Sequence, residues 1–291
     1  MFPSAFDYIA AASIDEAIAA KAEGGDETRF LAGGQSLLPM MKIRLAAPAQ
    51  LVDINRIAGL DGLERSNGHL RIGALVRHAD LAASDLPSGA VASAAPWIAD
   101  PLVRNLGTVC GSVAHCDPEG DWNSVLLAVG ADVVARGPSG TRTIPIESFI
   151  DGMFTNALAD DELVTEVQIR VPDGPSGGTY LKLERKVGDY ASVAAATHIE
   201  LGTDGSISRA GVALTSVYPQ NLKVPTAEAV LVGEQPTDEL YAEAAEAAAA
   251  AAEPRSDVRG TADWKRQVVR TYVRRGLAQA VDQATRSNGS R

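Results

Sequence analysis

The chain has 291 residues, enough for two domains, and 46% of them are hydrophobic. No apolar run approaches the roughly 20 residues of a membrane span, and no charged-then-apolar segment opens the chain, so the expected location is the cytoplasm. Twenty-six basic against thirty-seven acidic residues give a net charge of -11, which argues against a partner bound through nucleic-acid phosphates. The two cysteines, Cys110 and Cys116, cannot supply the four thiolates of an iron–sulfur cluster, and read more simply as small packing groups. Any metal chemistry must lie on another chain.

In chain order, Ser13 to Ala22 predicts a helix, capped by Ser13, with Asp15 and Glu16 at its positive end and Gly24-Gly25 as its stop. Arg29 to Ala32 predicts a strand that runs into Gly33-Gly34; Pro39 limits the next stretch to a brief turn and a bend, and Leu51 to Ile54 is a second strand. This order suits a small α/β unit with parallel strands. Leu70 to Ala74 is a further strand, followed by a helix near His78 to Ala83 and a buried helix over Ala90 to Ala99 that Asp100-Pro101 breaks.

Leu106 to Asp121 reads as a Gly-rich loop, the second such segment after Ala32-Gly33-Gly34-Gln35-Ser36. Small residues beside hydroxyls lay bare backbone N–H groups, so two of these segments could grip one phosphorylated ligand from both sides. With a net charge of -11, peptide dipoles and hydroxyls would have to do that local work. Neither G-x-G-x-x-G nor G-x-x-x-x-G-K-[ST] occurs, so the cradle is of neither the Rossmann nor the P-loop type.

Trp122 to Val129 reads as helix, Asp132 to Arg136 with Thr141 to Ile144 as a hairpin, and Leu163 to Val171 as a strand. Asp173 to Gly178 has the composition of a linker. Beyond it Thr179 to Leu183, Ala191 to Leu201 and Ile207 to Leu214 predict an antiparallel meander. Helices over Glu239 to Glu253 and Thr261 to Ala280 follow, with a frayed tail after Asp282.

Leu31 to Lys42, Ile98 to Pro101, Arg104 to Asp121, Glu184 to Tyr190 and Ser256-Asp257-Val258-Arg259-Gly260, in that order, resemble the FAD-binding medium subunits of molybdenum hydroxylases, most closely those of aerobic carbon monoxide dehydrogenases. The resemblance covers essentially the whole chain. It implies an α+β protein: two α/β FAD-binding subdomains of the PCMH type, about 1–55 and 56–175, then a C-terminal domain over 178–288 of antiparallel sheet and helices. Ala32, Gly33, Gly34, Gln35 and Ser36 match the first flavin loop, and Thr108, Val109, Cys110, Gly111 and Ser112 the second. There backbone amides and hydroxyls hold the diphosphate. Asp121 matches an acceptor for sugar or ribityl hydroxyls. Tyr190 falls where an aromatic residue lies near the isoalloxazine ring, and Lys186 of the same segment belongs with it.

The sequence departs from the family at Cys110, where glycine is common; a Cβ there speaks against a positive φ. His115 either contacts cofactor or serves as a structural hydrogen-bonder, and Asp117-Pro118 shapes a turn. The implied function is electron transfer: FAD accepts electrons relayed by partner [2Fe-2S] clusters from a molybdenum cofactor and passes them to an external acceptor. The implied assembly is a dimer of heterotrimers with a large molybdenum subunit and a small iron–sulfur subunit, placed in the cytoplasm or on the inner face of the membrane. Carbon monoxide is the leading substrate. The alternatives are an N-heterocycle or aldehyde dehydrogenase, or a flavin-free assembly subunit.

Overall fold

The computed structural model describes residues 2–288. The N-terminal unit comprises β1 (Asp7–Ala10), α1 (Ile14–Gly24), β2 (Thr28–Leu31), α2 (Leu37–Lys42) and β3 (Gln50–Asp53). Its three strands lie parallel in the order β1-β3-β2, as the alternation of helix and strand predicts, although β1 carries no clear signal in the sequence. The Ser13 hydroxyl caps α1 by accepting from the Glu16 amide at 3.1 Å, and Gly25, at φ +53°, ends it. The stretch expected to be a turn and a bend is instead the helix α2. Pro39 stands in its first turn, where a missing N–H costs no helical bond.

The second unit is built on a five-stranded antiparallel sheet in the order β4-β5-β10-β6-β7. These are Leu63–Ser66, His69–Gly73, Leu163–Arg170, Ala131–Gly137 and Gly140–Pro145. Between β5 and β6 the chain forms α3 (His78–Ala83), α4 (Gly89–Ala94), α5 (Pro101–Leu106), α6 (Val109–His115) and α7 (Asp121–Val129). After β7 come α8 (Ile146–Phe149) and a small hairpin of β8 (Ile150–Gly152) and β9 (Thr155–Asn156).

Two expectations are corrected here. The helix expected over Ala90 to Ala99 stops earlier, α4 ending at Ala94 with a 3-10 turn over Ala95–Trp97, and Asp100-Pro101 opens α5 instead: the Asp100 carboxylate accepts from Val103 N at 2.9 Å, with proline at the helix start. Leu106 to Asp121 is not a continuous loop either. Thr108 caps α6, and Val109, Cys110 and Val113 recur at helical spacing and bury one face, so apolar periodicity prevails over the local glycine content.

The C-terminal unit holds β11 (Ser176–Leu183), β12 (Val193–Leu201), β13 (Ile207–Thr215) and β14 (Leu222–Lys223) in one antiparallel sheet, with α9 (Pro225–Leu231), α10 (Asp238–Ala251) and α11 (Ala262–Asn288). The expected linker is partly strand. Gly177 and Gly178 belong to β11 because other backbone passes too close for a side chain: a Cβ would lie 2.0 Å from Ala280 O at Gly177 and 2.7 Å from Thr197 O at Gly178. Helix α11 also continues past Asp282, where fraying was expected, and the Asp282–Arg286 pair spans one turn of it at 2.8 Å. The alanines of α10 are functional packing: Ala244, Ala245, Ala248 and Ala249 are buried along one stripe.

The units share their core. Every residue of α7 is buried, and Trp122, Val125 and Leu126 lie in one apolar cluster with Tyr180, Ala194, Ala196 and Ala213 of the C-terminal sheet.

Candidate functional site

The segments singled out in the sequence meet at one place. Gly33 stands so close to the start of the second segment that a Cβ would lie 2.4 Å from Leu106 O and 2.7 Å from Gly107 Cα. The first glycine is therefore needed for the two segments to touch, and Gly34, at φ +70°, for the chain to turn away afterwards. A bridge holds this contact. Asn55 donates to the Ala32 carbonyl at 2.8 Å, Arg77 donates to Asn55 Oδ1 at 2.6 Å, and a second Arg77 nitrogen donates to Leu106 O. Neither Asn55 nor Arg77 was indicated by sequence; no local pattern marks a pair that acts only through distant carbonyls.

On the other side, Gly188, at φ +86°, abuts the Ala99-Asp100 step, with its Cβ position 3.2 Å from Asp100 Cβ. The Glu184 to Tyr190 segment thus rests on the Ile98 to Pro101 segment. Arg104 fastens the latter by donating to Ile98 O and Ala99 O at 2.9 and 3.0 Å. Tyr190 is about half exposed on this rim, and Lys186 is exposed on the turn before it. Burial, then the neighbouring carboxylates led by Asp117, push the Tyr190 phenol up to about 12.

Within the second segment the residues divide. Thr108 is buried and its hydroxyl is spent on the Gly111 amide at 3.1 Å, while Val109 and Cys110 point into the core. Cys110 Sγ donates to Ile72 O and Gly73 O at 3.4 and 3.5 Å, and burial pushes its thiol far up. Gly111 and Ser112 face outward. In the first segment, Gln35 turns back to the Gly33 carbonyl at 3.3 Å, and Ser36 opens α2 without a side-chain cap bond. Small, donor-rich surfaces thus remain on both sides of the Gly33 contact, which fits an anionic ligand.

Asp121 is the buried acid of the set. Its carboxylate accepts from Tyr180 OH at 2.5 Å and Lys182 Nζ at 3.0 Å, both from β11. The Lys182 side chain is 1% exposed, also donates to Trp97 O at 3.1 Å, and pairs with Glu184 at 3.5 Å. Burial raises the Asp121 carboxyl above its ordinary range, against the pull of Lys182 and Tyr180. Two carboxylates thus share one ammonium beneath the site. His78 is buried, accepts from Trp122 Nε1 at 3.1 Å, and is driven down to about 4 by desolvation and then by Arg104 and Arg77, so its ring is neutral. His115 lies against Phe154 with ring centroids 5.2 Å apart. Among the described residues there is no group of His, Cys, Asp and Glu that could hold a metal ion, and no helix long and apolar enough to cross a membrane.

An α+β chain whose two glycine segments meet beside an aromatic rim fits a protein that holds a phosphorylated organic cofactor. The comparisons specify it. A family described as the FAD binding domain in molybdopterin dehydrogenase matches residues 4–173, and one described as the CO dehydrogenase flavoprotein C-terminal domain matches 178–280. The carbon monoxide dehydrogenase medium chain of Hydrogenophaga pseudoflava is 38% identical over 96% of this chain and 98% of its own. The 6-hydroxypseudooxynicotine dehydrogenase complex subunit alpha of Paenarthrobacter nicotinovorans is also 38% identical, over 98% and 97%. The solved carbon monoxide dehydrogenase of H. pseudoflava that lacks the Mo-pyranopterin moiety has a chain that superimposes with a TM-score of 0.93 at 40% identity, covering 97% of this chain and 99% of that one. The chain belongs to the family of FAD-binding subunits of the molybdopterin dehydrogenases. FAD is its cofactor, and it is an oxidoreductase subunit.

Proposed function

We propose that this chain is the electron-transfer subunit of a molybdenum hydroxylase: it receives electrons from the iron–sulfur clusters of a small partner subunit and delivers them to an external acceptor. When bound, the flavin supplies the redox chemistry; the chain's own residues bind and orient it. The observation that supports this reading is the contact of Gly33 with Leu106 and Gly107, which brings the two glycine segments together as a shared ligand would require. Ala32 to Ser36 and the outward face of Thr108 to Ser112 would hold the diphosphate through backbone N–H groups and the Ser36 and Ser112 hydroxyls. Thr108, Val109 and Cys110 would contribute by fixing the first turn of α6. Asp121, already engaged by Tyr180 and Lys182, would act at the cofactor together with that pair. Tyr190 would lie by the isoalloxazine ring with Lys186 at the rim.

A large molybdenum subunit completes the assembly, as a dimer of heterotrimers, in the cytoplasm or on the inner face of the membrane. Substrate choice belongs to that large subunit. Carbon monoxide is the reading carried forward, supported by the medium chain at 38% identity. The equally similar 6-hydroxypseudooxynicotine dehydrogenase subunit keeps that substrate as the second reading.

The test is reconstitution. The purified chain loaded with FAD is expected to oxidise no primary substrate, and adding the iron–sulfur and molybdenum subunits restores turnover, with flavin reduction following cluster reduction in a stopped-flow trace. Substrate-dependent flavin reduction by this chain alone, free of iron and molybdenum, would overturn the reading.

A further inference from the structure

The Ser256 to Gly260 motif takes no part in the grip just described, yet side-chain bonds tie it down throughout. It lies between α10 and α11. Asp257 accepts from Arg259 N at 2.8 Å and Gly260 N at 3.2 Å through one carboxylate oxygen, and from Lys265 Nζ at 2.6 Å through the other. Ser256 Oγ accepts from Ala262 N at 2.9 Å. Gly260 lies under the Trp264 ring, with its Cβ position 2.4 Å from Cε3. Val258 of this loop stands out in solvent, whereas the side chain of Arg259, only 18% exposed, turns inward from a backbone that these bonds hold in place.

Arg259 crosses from the C-terminal unit to the rim of the flavin site. One guanidinium nitrogen donates to Glu119 Oε2 at 2.7 Å and to Ala191 O at 3.4 Å, and the other stands 3.9 Å from Asp189 Oδ1. Asp189 and Ala191 are the residues on either side of Tyr190. Ala191 O also accepts from Ser216 Oγ at 2.7 Å, so the backbone after Tyr190 is held from two directions. Glu119 belongs to the turn in which the Asp117 carboxylate accepts from the Glu119 amide at 2.9 Å. Asp117 is itself the carboxylate that acts on the Tyr190 phenol.

We infer that Arg259 is a positioning residue: by clamping Asp189 and Ala191 to Glu119 it fixes where the Tyr190 ring stands over the flavin site. The inference rests on the reading that Tyr190 lies by the isoalloxazine. A planar five-donor fork can hold a carboxylate and a carbonyl from different loops at once, which neither lysine nor glutamine reproduces.

The test uses the full-length chain labelled with 3-fluorotyrosine, whose six tyrosine resonances in the 19F spectrum include one assigned to Tyr190 by its loss in Tyr190→Phe. Arg259→Gln should shift and broaden the Tyr190 line, with and without FAD, while the other five stay in place. Glu119→Gln should give a smaller change in the same direction. With FAD bound, Arg259→Gln should raise flavin fluorescence as Tyr190→Leu does, and the double variant should give no further rise. An unmoved Tyr190 line in both Arg259→Gln and Glu119→Gln overturns the inference, and so does a change spread over all the lines. If Tyr190→Leu leaves flavin fluorescence unchanged, the placing of Tyr190 at the flavin fails separately, and the 19F line alone decides the role of Arg259.

Discussion

Replacing Gly33 by alanine is the smallest perturbation that reaches the contact between the two glycine segments. The new Cβ would meet Leu106 O at 2.4 Å, ordinary contact begins at 3.4 Å, and so the segments must part by about 1 Å. Neither obstructing atom can rotate away, because Leu106 O and Gly107 Cα are backbone. Arg77 and Asn55 further resist, since parting strains the bridge from Leu106 O through Asn55 to Ala32 O. Overpacking of this kind costs about 1–3 kcal/mol. Expressed entirely as lost cofactor affinity, that is a Kd roughly 5- to 150-fold weaker. Gly34→Ala is the matched control: it meets the strain of φ +70°, but its nearest contact, Leu38 Cδ1 at 2.9 Å, is a side-chain end that can move. The strain of a left-handed alanine is about 1–2 kcal/mol and falls on the first loop alone. Calorimetric titration of the apo chain with FAD, beside thermal unfolding of the same samples, should rank Gly33→Ala as the larger loss of affinity. Wild-type affinity with an unchanged thermal midpoint in Gly33→Ala would refute the argument that this contact assembles the site.

Two further outcomes follow from buried groups beside it. His78 is neutral in the fold at about 4 against an ordinary 6.5, so below pH 6.5 the unfolded chain takes up a proton that the folded chain refuses. Stability is therefore complete above about 6.5 and falls as pH drops towards 4, by about 3 kcal/mol in all. Urea unfolding of wild type and His78→Gln at pH 7 and 4.5 checks this, and an equal loss in both chains would reject it. Cys110, a thiol kept protonated by burial, should resist iodoacetamide in the native chain, and Cys110→Ser should keep FAD and electron transfer. Mass spectrometry showing native alkylation at Cys110, or loss of activity with flavin retained, would give that sulfur a redox role instead.

What could be read from the sequence was whatever depends on near neighbours. The Ser13 cap, the hairpin through Gly137 and Gly140, and the three long strands of the C-terminal meander all rest on local pattern, and each forms where expected. The glycine segments were visible for the same reason, as was the parallel pairing of the first unit. Leu106 to Asp121 has the glycine and serine content of a loop, yet Thr108 and the apolar spacing of Val109, Cys110 and Val113 are enough to start a helix within it. Asn55, Arg77 and Lys182 were beyond reach, because their roles arise from partners far along the chain. The same holds for Gly177 and Gly178, which look like linker residues until the backbone that passes over them is known.

The long-range pairs also decide how the site relates to the C-terminal unit. The family descriptions divide the chain between 173 and 178, but the physics places no seam there. Asp121 belongs to the first part, yet both groups that balance its buried carboxylate, Tyr180 and Lys182, come from β11 of the second. A buried carboxylate without such partners costs several kcal/mol or takes up a proton. Arg259 repeats the arrangement at the rim, where a C-terminal side chain holds Glu119 of the first part. Helix α7, buried along its whole length, is covered on one side by β12 and β13. The flavin-binding unit therefore depends on the C-terminal sheet for charge balance and for burial, although the glycine segments themselves lie wholly in the first part.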